Sequence, residues 1–248
     1  MIRRLFLALV AATCAAGAAS ANEGRVIGIV SLVADRLTVT GFESTTGSNL
    51  NVNPFENIEL RDDGLERSVL RTAMRAVNEQ KAGRAVPLLI NDGRIYNAQD
   101  AIVSGDTAKV PESLMQTLQA QKATHLLLVT KHRAEARMKT GVQQIGSGRV
   151  EGLGFYVDRV TELRTVTTGM RSVGYLAPHV FVRVSLIDLA GSKVLGSRTV
   201  TASEVIPATE KDRGGDPWEL LDSAGKVTAI DEMIARECAP ALRALLAS

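Results

Sequence analysis

Val26-Ile27-Gly28-Ile29-Val30-Ser31-Leu32-Val33 carries one hydroxyl and no charge, and β-branched side chains dominate it. A short unbroken apolar run of this kind reads as a strand buried on both faces, which needs helices to cover it. Ala34-Asp35-Arg36 then reads as a turn and Leu37 to Phe42 as a second strand. Glu43 to Pro54 is rich in Ser, Thr, Gly and Asn and reads as a loop.

The covering helices are legible downstream. Asp63-Gly-Leu-Glu66 has capping-box spacing, and Leu65, Val69, Ala73 and Val77 fall on one helical face with Leu70 and Met74 beside them. This predicts a helix from Leu65 to about Gln80. Val86 to Asn91 reads as a short strand closed by Asn91-Asp92-Gly93. Pro111 opens a second helix with Leu114, Met115 and Leu118 inward.

Thr124 to Met138 alternates along its second half. Lys131, Arg133, Glu135 and Arg137 take one side; Thr130, His132, Ala134, Ala136 and Met138 take the other. Read as one strand, the run extends about 45–50 Å, so its end is expected to project from the core. Residues 139–178 are Gly- and Thr-rich and read as a mobile hairpin or surface lobe, with 141–178 as its flexible part. Val180 to Leu189 and Lys193 to Ala202 form a hairpin about Ala190-Gly-Ser192. Asp216-Pro-Trp-Glu219 reads as the capped start of a long helix, kinked near Pro240. The resulting class is α/β (α+β): a mixed sheet with helices packed against it and a projecting hairpin or long strand pair.

The amino terminus reads as an export leader. Met1-Ile-Arg-Arg supplies charge, Leu5 to Ala12 the apolar core, and Ala19-Ser20-Ala21 the cleavage site. Cleavage after Ala21 predicts a mature start at Asn22 and a periplasmic location, with 22–248 as one mixed α/β domain. Lipid attachment through Cys14 is the lesser alternative, because Ala11-Ala12-Thr13 lacks the usual Leu. The formal charge is +2. Arg3 and Arg4 account for it, so the mature chain is balanced and carries no general attraction for nucleic acid. No later stretch has membrane-spanning length. Cys238 is then the sole thiol, so packing rather than disulfides must hold the fold.

Patterns that carry chemistry are few. His125 and His132 point to opposite faces of one strand, and with His179 they form no zinc spacing, so no metal site and no cofactor are expected. Ala34-Asp35-Arg36-Leu37-Thr38 looks like the Gly-Asp-Ser-Leu block of SGNH esterases, but Arg36 stands at the nucleophile position. Ser223-Ala-Gly-Lys226 fits Ser-x-x-Lys without its partner motifs. No catalytic residue is assigned. The basic alternation Lys131, Arg133 and Arg137, with Arg149 and Arg159 near it, reads either as edge protection or as an anionic-ligand site. Leu153, Phe155 and Tyr156 sit between glycines and read either as core or as a partner contact.

The order of buried first strand, helix Leu65–Gln80, strand Val86–Asn91, helix from Pro111 and strand Thr124–Val129 resembles a class of exported bacterial α/β modules. The curli-secretion lipoprotein, the amino-terminal domain of TolB and the lipoprotein activators of penicillin-binding proteins belong to it. The resemblance implies a non-enzymatic assembly or regulatory part. The expectation is therefore an exported, non-catalytic envelope accessory protein. Its partner surface would comprise Lys131, Arg133, Arg137, Leu153, Phe155 and Tyr156, its partner would be an envelope protein, and homo-oligomers are admissible. The alternative is a periplasmic hydrolase-like enzyme with Asp35, Asp92, His125 and His179 at strand ends.

Overall fold

A computed structural model describes residues 24–42, 53–60, 62–140, 143–164, 171–208 and 215–247. The leader with Cys14 and the Ala21–Asn22 junction lies outside these residues, as do most of the Glu43–Pro54 loop and residues 165–170.

The chain opens with β1 (Val26–Leu32), β2 (Arg36–Gly41) and β3 (Phe55–Glu59). Helix α1 (Gly64–Glu79) leads into β4 (Arg84–Leu88). Short helices α2 (Gly93–Asn97) and α3 (Gln99–Ile102) and the small strands β5 (Val103–Ser104) and β6 (Thr107–Ala108) follow. Helix α4 (Glu112–Ala120) enters β7 (His125–Lys131), and three short strands come next: β8 (Arg133–Glu135), β9 (Met138–Lys139) and β10 (Gln144–Ile145). Two long strands, β11 (Arg149–Arg164) and β12 (Arg171–Asp188), precede β13 (Lys193–Ser203) and β14 (Ile206–Pro207). A 3₁₀ turn (Pro217–Leu220), α5 (Ser223–Met233), a π turn (Ile234–Cys238) and α6 (Ala239–Leu246) complete the chain.

Among the described residues one mixed sheet of twelve strands dominates, with β9 and β10 as a separate pair. β1 lies between β4 and β7, parallel to both. That position explains its unbroken apolar run: Ile27, Ile29, Val30, Leu32 and Val33 are fully buried. β12 joins the two halves of the sheet. Along one edge its first part pairs with β11 and its last part with β7, and its other edge carries β14 and β13.

Three apolar layers cover the sheet. Leu65, Val69, Ala73 and Val77 of α1 and Ile230, Leu242 and Leu245 of the terminal helices seal one face against Leu153, Phe155 and Val184. On the opposite face Ile95, Ile102, Leu114 and Leu118 pack against β1 and β7. Ala136, Met138 and Val150 cover Tyr156, Tyr175 and Phe181 farther along. Among the described residues no helix is long and apolar enough to cross a membrane.

Several expectations need correction. Asp63 makes no capping bond to the helix amides; its carboxylate accepts from Arg67 Nε at 2.9 Å. Glu66 turns inward and accepts from the Ala34 amide at 2.9 Å, which ties α1 to the end of β1. The strand expected at Val86–Asn91 runs from Arg84 to Leu88, and Asp92 caps α2 through the Arg94 amide. The run from Thr124 does not project. It breaks at His132, and β8 folds back onto β11. Asp216 caps only the 3₁₀ turn, accepting from the Trp218 amide at 3.0 Å. The long helix starts afresh at Ser223, where Asp222 accepts from the Gly225 amide at 2.7 Å. The disturbance near Pro240 is real and takes the form of the π turn just before it.

The largest correction concerns 141–178. Within it lie all of β11 and the first part of β12, the longest strand pair of the described residues. Leu153, Phe155 and Val157 alternate onto the helix-covered face, and each is 1% exposed or less. The pair outruns its neighbours only beyond the irregularity between Asp158 and Glu162, where Val160 and Val173 are exposed.

Candidate functional site

The residues that line one groove come from five strands, β2, β3, β7, β8 and β11. On β2, Arg36, Thr38 and Thr40 alternate onto one face. Their neighbours on β3 are Asn57 beside Thr38 and Phe55 beside Thr40. Gly154 of β11 lies against Thr38 on the other side. Gly152 and Gly154 put no side chain over this part of the sheet, and the hollow they leave is walled by Lys131, Arg133, Arg149, Val150 and Glu151. The volume is about 230 Å³, and Asn53 stands at the rim. Four cationic side chains thus share the lining with one carboxylate.

Both glycines are geometrically required. Gly152 has φ +67°, and a Cβ there would press on Lys131 Cγ at 3.1 Å. At Gly154 a Cβ would collide with the Thr38 carbonyl oxygen, so β2 and β11 could not approach. Glycine at 152 and 154 is therefore a one-face pattern, set against large apolar residues on the other face.

The cations differ in availability. Lys131 is 7% exposed at its side chain, and its ammonium pairs with Asp35. Arg36 reaches the same carboxylate at 3.4 Å. Arg133 lies opposite Glu151, and Arg149 opposite Glu135, in the β8–β11 register. Neither arginine forms an ion pair with a described residue, and both are exposed. Glu135 is engaged by Arg137 instead. Arg149 follows a turn held at Ser147, whose amide donates to the Tyr156 hydroxyl at 3.0 Å. That hydroxyl donates back to the Ser147 carbonyl at 3.1 Å, and Asn53 Nδ2 donates to the same oxygen at 2.6 Å. Burial raises the Tyr156 hydroxyl above its ordinary value, so it stays neutral.

The expected partner surface is thus divided. Lys131 and Arg133 meet in the groove, joined by Arg149. Arg137 lies outside it, in a shallow hollow with Lys139 and Gln144. Arg159 pairs with Asp216 at 2.9 Å and belongs to neither. Leu153, Phe155 and Tyr156 are buried in the chain's own core, and this removes them as a contact surface. Sequence reading missed Arg36, Asn53, Phe55 and Asn57. The polar alternation of Arg36, Thr38 and Thr40 was the available signal.

The four residues of the enzyme alternative do not converge. Asp35 follows β1 at the carboxyl end of the parallel strands, whereas His125 opens β7 at their amino end. Asp92 caps α2 and pairs with Arg94 at 2.8 Å. His179 is fully buried on β12, edge-on to Phe181 at 5.5 Å. Neither ring nitrogen makes a hydrogen bond to a described residue, and burial lowers its pKa to about 4. The Ala177 and Glu151 backbone nearby only partly opposes that shift. Among the described residues no group of three or more His, Cys, Asp or Glu could hold a metal ion.

No family model and no curated protein matches this sequence. Among solved structures, the chain is similar to the PelC dodecamer from Paraburkholderia phytofirmans at 14% identity and a TM-score of 0.36, covering 91% of this chain and 89% of that one. It is similar to a Xanthomonas campestris protein of family model DUF330 at 12% identity and 0.34, covering 90% and 81%. A putative neuraminyllactose-binding hemagglutinin homolog from Helicobacter pylori matches at 5% identity and 0.33, covering 86% and 84%. Likeness at this level carries no functional argument.

Proposed function

We propose that this protein is an exported, non-catalytic binding module of the bacterial envelope, and that it holds an anionic component in the groove between β2, β3, β8 and β11. The carrying observation is the pair Arg133 and Arg149, exposed in one groove with no carboxylate partner among the described residues. Guanidinium groups so placed attract carboxylate or phosphate and bind it bidentately. The leader sequence supports export, and the element order of exported assembly modules agrees with an accessory role.

The lining supplies cations, amides and hydroxyls. Its one carboxylate, Glu151, has no second carboxylate or imidazole beside it in that lining, so the groove holds no acid–base pair. Such chemistry retains a ligand rather than transforming it.

The test is titration of the mature protein with short polyanions by calorimetry at several salt concentrations. Wild type should bind with a salt-dependent affinity. The double variant Arg133→Glu with Arg149→Glu should lose at least about tenfold, as expected for two charge reversals at a ligand. Unchanged binding in a folded double variant would place the interaction elsewhere.

A further inference from the structure

The groove holds a feature that charge attraction does not need. Phe55 is 69% exposed, the highest exposure among the large apolar side chains described, and it lines the groove's lip. It opens the edge strand β3, directly beside Thr40. An exposed phenyl ring on an edge strand invites unwanted pairing, so its place needs a reason. The groove also holds the Asn57 amide and the half-buried Thr38, whose hydroxyl donates to Asn57 Oδ1 at 3.5 Å, and Arg133 and Arg149 share the lining; Thr40 is 2% exposed and takes no part. Asn53 stands two residues before Phe55, but its amide is spent on the Ser147 carbonyl at 2.6 Å.

Three chemistries therefore meet in one open trough: a flat apolar face, neutral donors and acceptors, and guanidinium groups. Phosphate chains use the last and have nothing to place on a phenyl ring. Acidic peptides use the last two but present no rigid apolar face of matching shape. A pyranose ring bearing a carboxylate presents all three: a C–H face for the ring, hydroxyls for the Asn57 amide and Thr38, and an acid for the arginines. We propose that the groove binds an acidic polysaccharide, with a uronate residue laid on Phe55 and its carboxylate on Arg133 and Arg149. This rests on the reading of the groove as the binding site.

The experiment uses the mature protein and four probes: oligogalacturonate, inorganic polyphosphate, an acidic peptide (oligoglutamate) and neutral dextran oligomers. Oligogalacturonate should bind, and dextran should not. Phe55→Ala should weaken oligogalacturonate by about tenfold, the scale of one aromatic contact, and leave polyphosphate affinity unchanged. Phe55→Trp should restore uronate binding, because the platform returns. Phe55 lies on an exposed edge, so the variants are expected to fold, and melting curves confirm it. If Phe55→Ala leaves both polyanions bound equally, the saccharide assignment fails while the anionic groove stands. If an acidic peptide competes better than oligogalacturonate, the ligand class is wrong. If no polyanion binds, both readings fall together.

Discussion

The Phe155 ring meets the Trp218 indole edge-on, with centroids 5.5 Å apart and planes at 87°. This contact locks the centre of β11 to the 3₁₀ turn that precedes the terminal helices. The Lys226 ammonium sits 4.1 Å from the centre of the same indole. Phe155 is 0% exposed. Phe155→Ala should therefore cost about 3–5 kcal/mol, the range for deleting a buried ring. Urea denaturation with unchanged m-value reads this directly. A change below about 1 kcal/mol would show that the site collapses without loss.

His179 sets a pH dependence. Its ordinary pKa is 6.5, and burial holds it at about 4 in the folded chain. Between those values the unfolded chain binds more protons, so stability falls as pH drops from about 6.5 to about 4 and is fully present above that window. The loss approaches about 3 kcal/mol at the acid end. Glu66 works in the opposite sense, because burial raises its carboxyl. The comparison that isolates the imidazole is wild type against His179→Leu, by chemical denaturation at pH 7.5 and 4.5. The variant should lose less stability on acidification. Equal losses in the two proteins would mean that His179 is protonated without penalty.

Gly154 gives a steric prediction. Any Cβ there strikes the Thr38 carbonyl oxygen, so Gly154→Ala should part β2 from β11 and cost about 1–3 kcal/mol or more. Thermal melting measures the loss. Gly93, with nothing within 4 Å of its added Cβ, is the control, and Gly93→Ala should be nearly neutral.

The sheet-and-helix class, the helix over Gly64–Glu79 and the β12–β13 hairpin were legible because each rests on local periodicity: period two in the strands, 3.6 in the helix. β1 was legible for the same reason, since a strand with neighbours on both sides and helices on both faces has no polar positions. What failed was context. Glu66 has the spacing of a capping residue, yet its carboxylate goes to the Ala34 amide 32 residues away, a partner that only tertiary structure supplies. The glycines at 152 and 154 suggest flexibility one by one; their alternation with Leu153, Phe155 and Val157 is a strand pattern whose empty side is the groove. Of the site, Lys131, Arg133 and Arg149 were visible as a basic stripe. Phe55 and Asn57 were not, because a five-residue edge strand with two acids carries too little alternation to stand out.

The π turn at Ile234–Cys238 decides the phase of the last helix. Ile230, Ile234, Cys238 and Leu242 are buried at four-residue intervals. In an α-helix each such step overshoots a full turn by about 40°, so the fourth residue would have rotated well away from the sheet. The wider π turn holds about one more residue per turn and takes back part of that rotation. Pro240 lies just past that turn, and in a regular helix its ring would strike the carbonyl four residues earlier. The extra residue and the proline are thus coupled. Removing one alone leaves the helix either out of phase with the sheet or sterically blocked, so a chain of this kind would have to lose both together to return to regular helix.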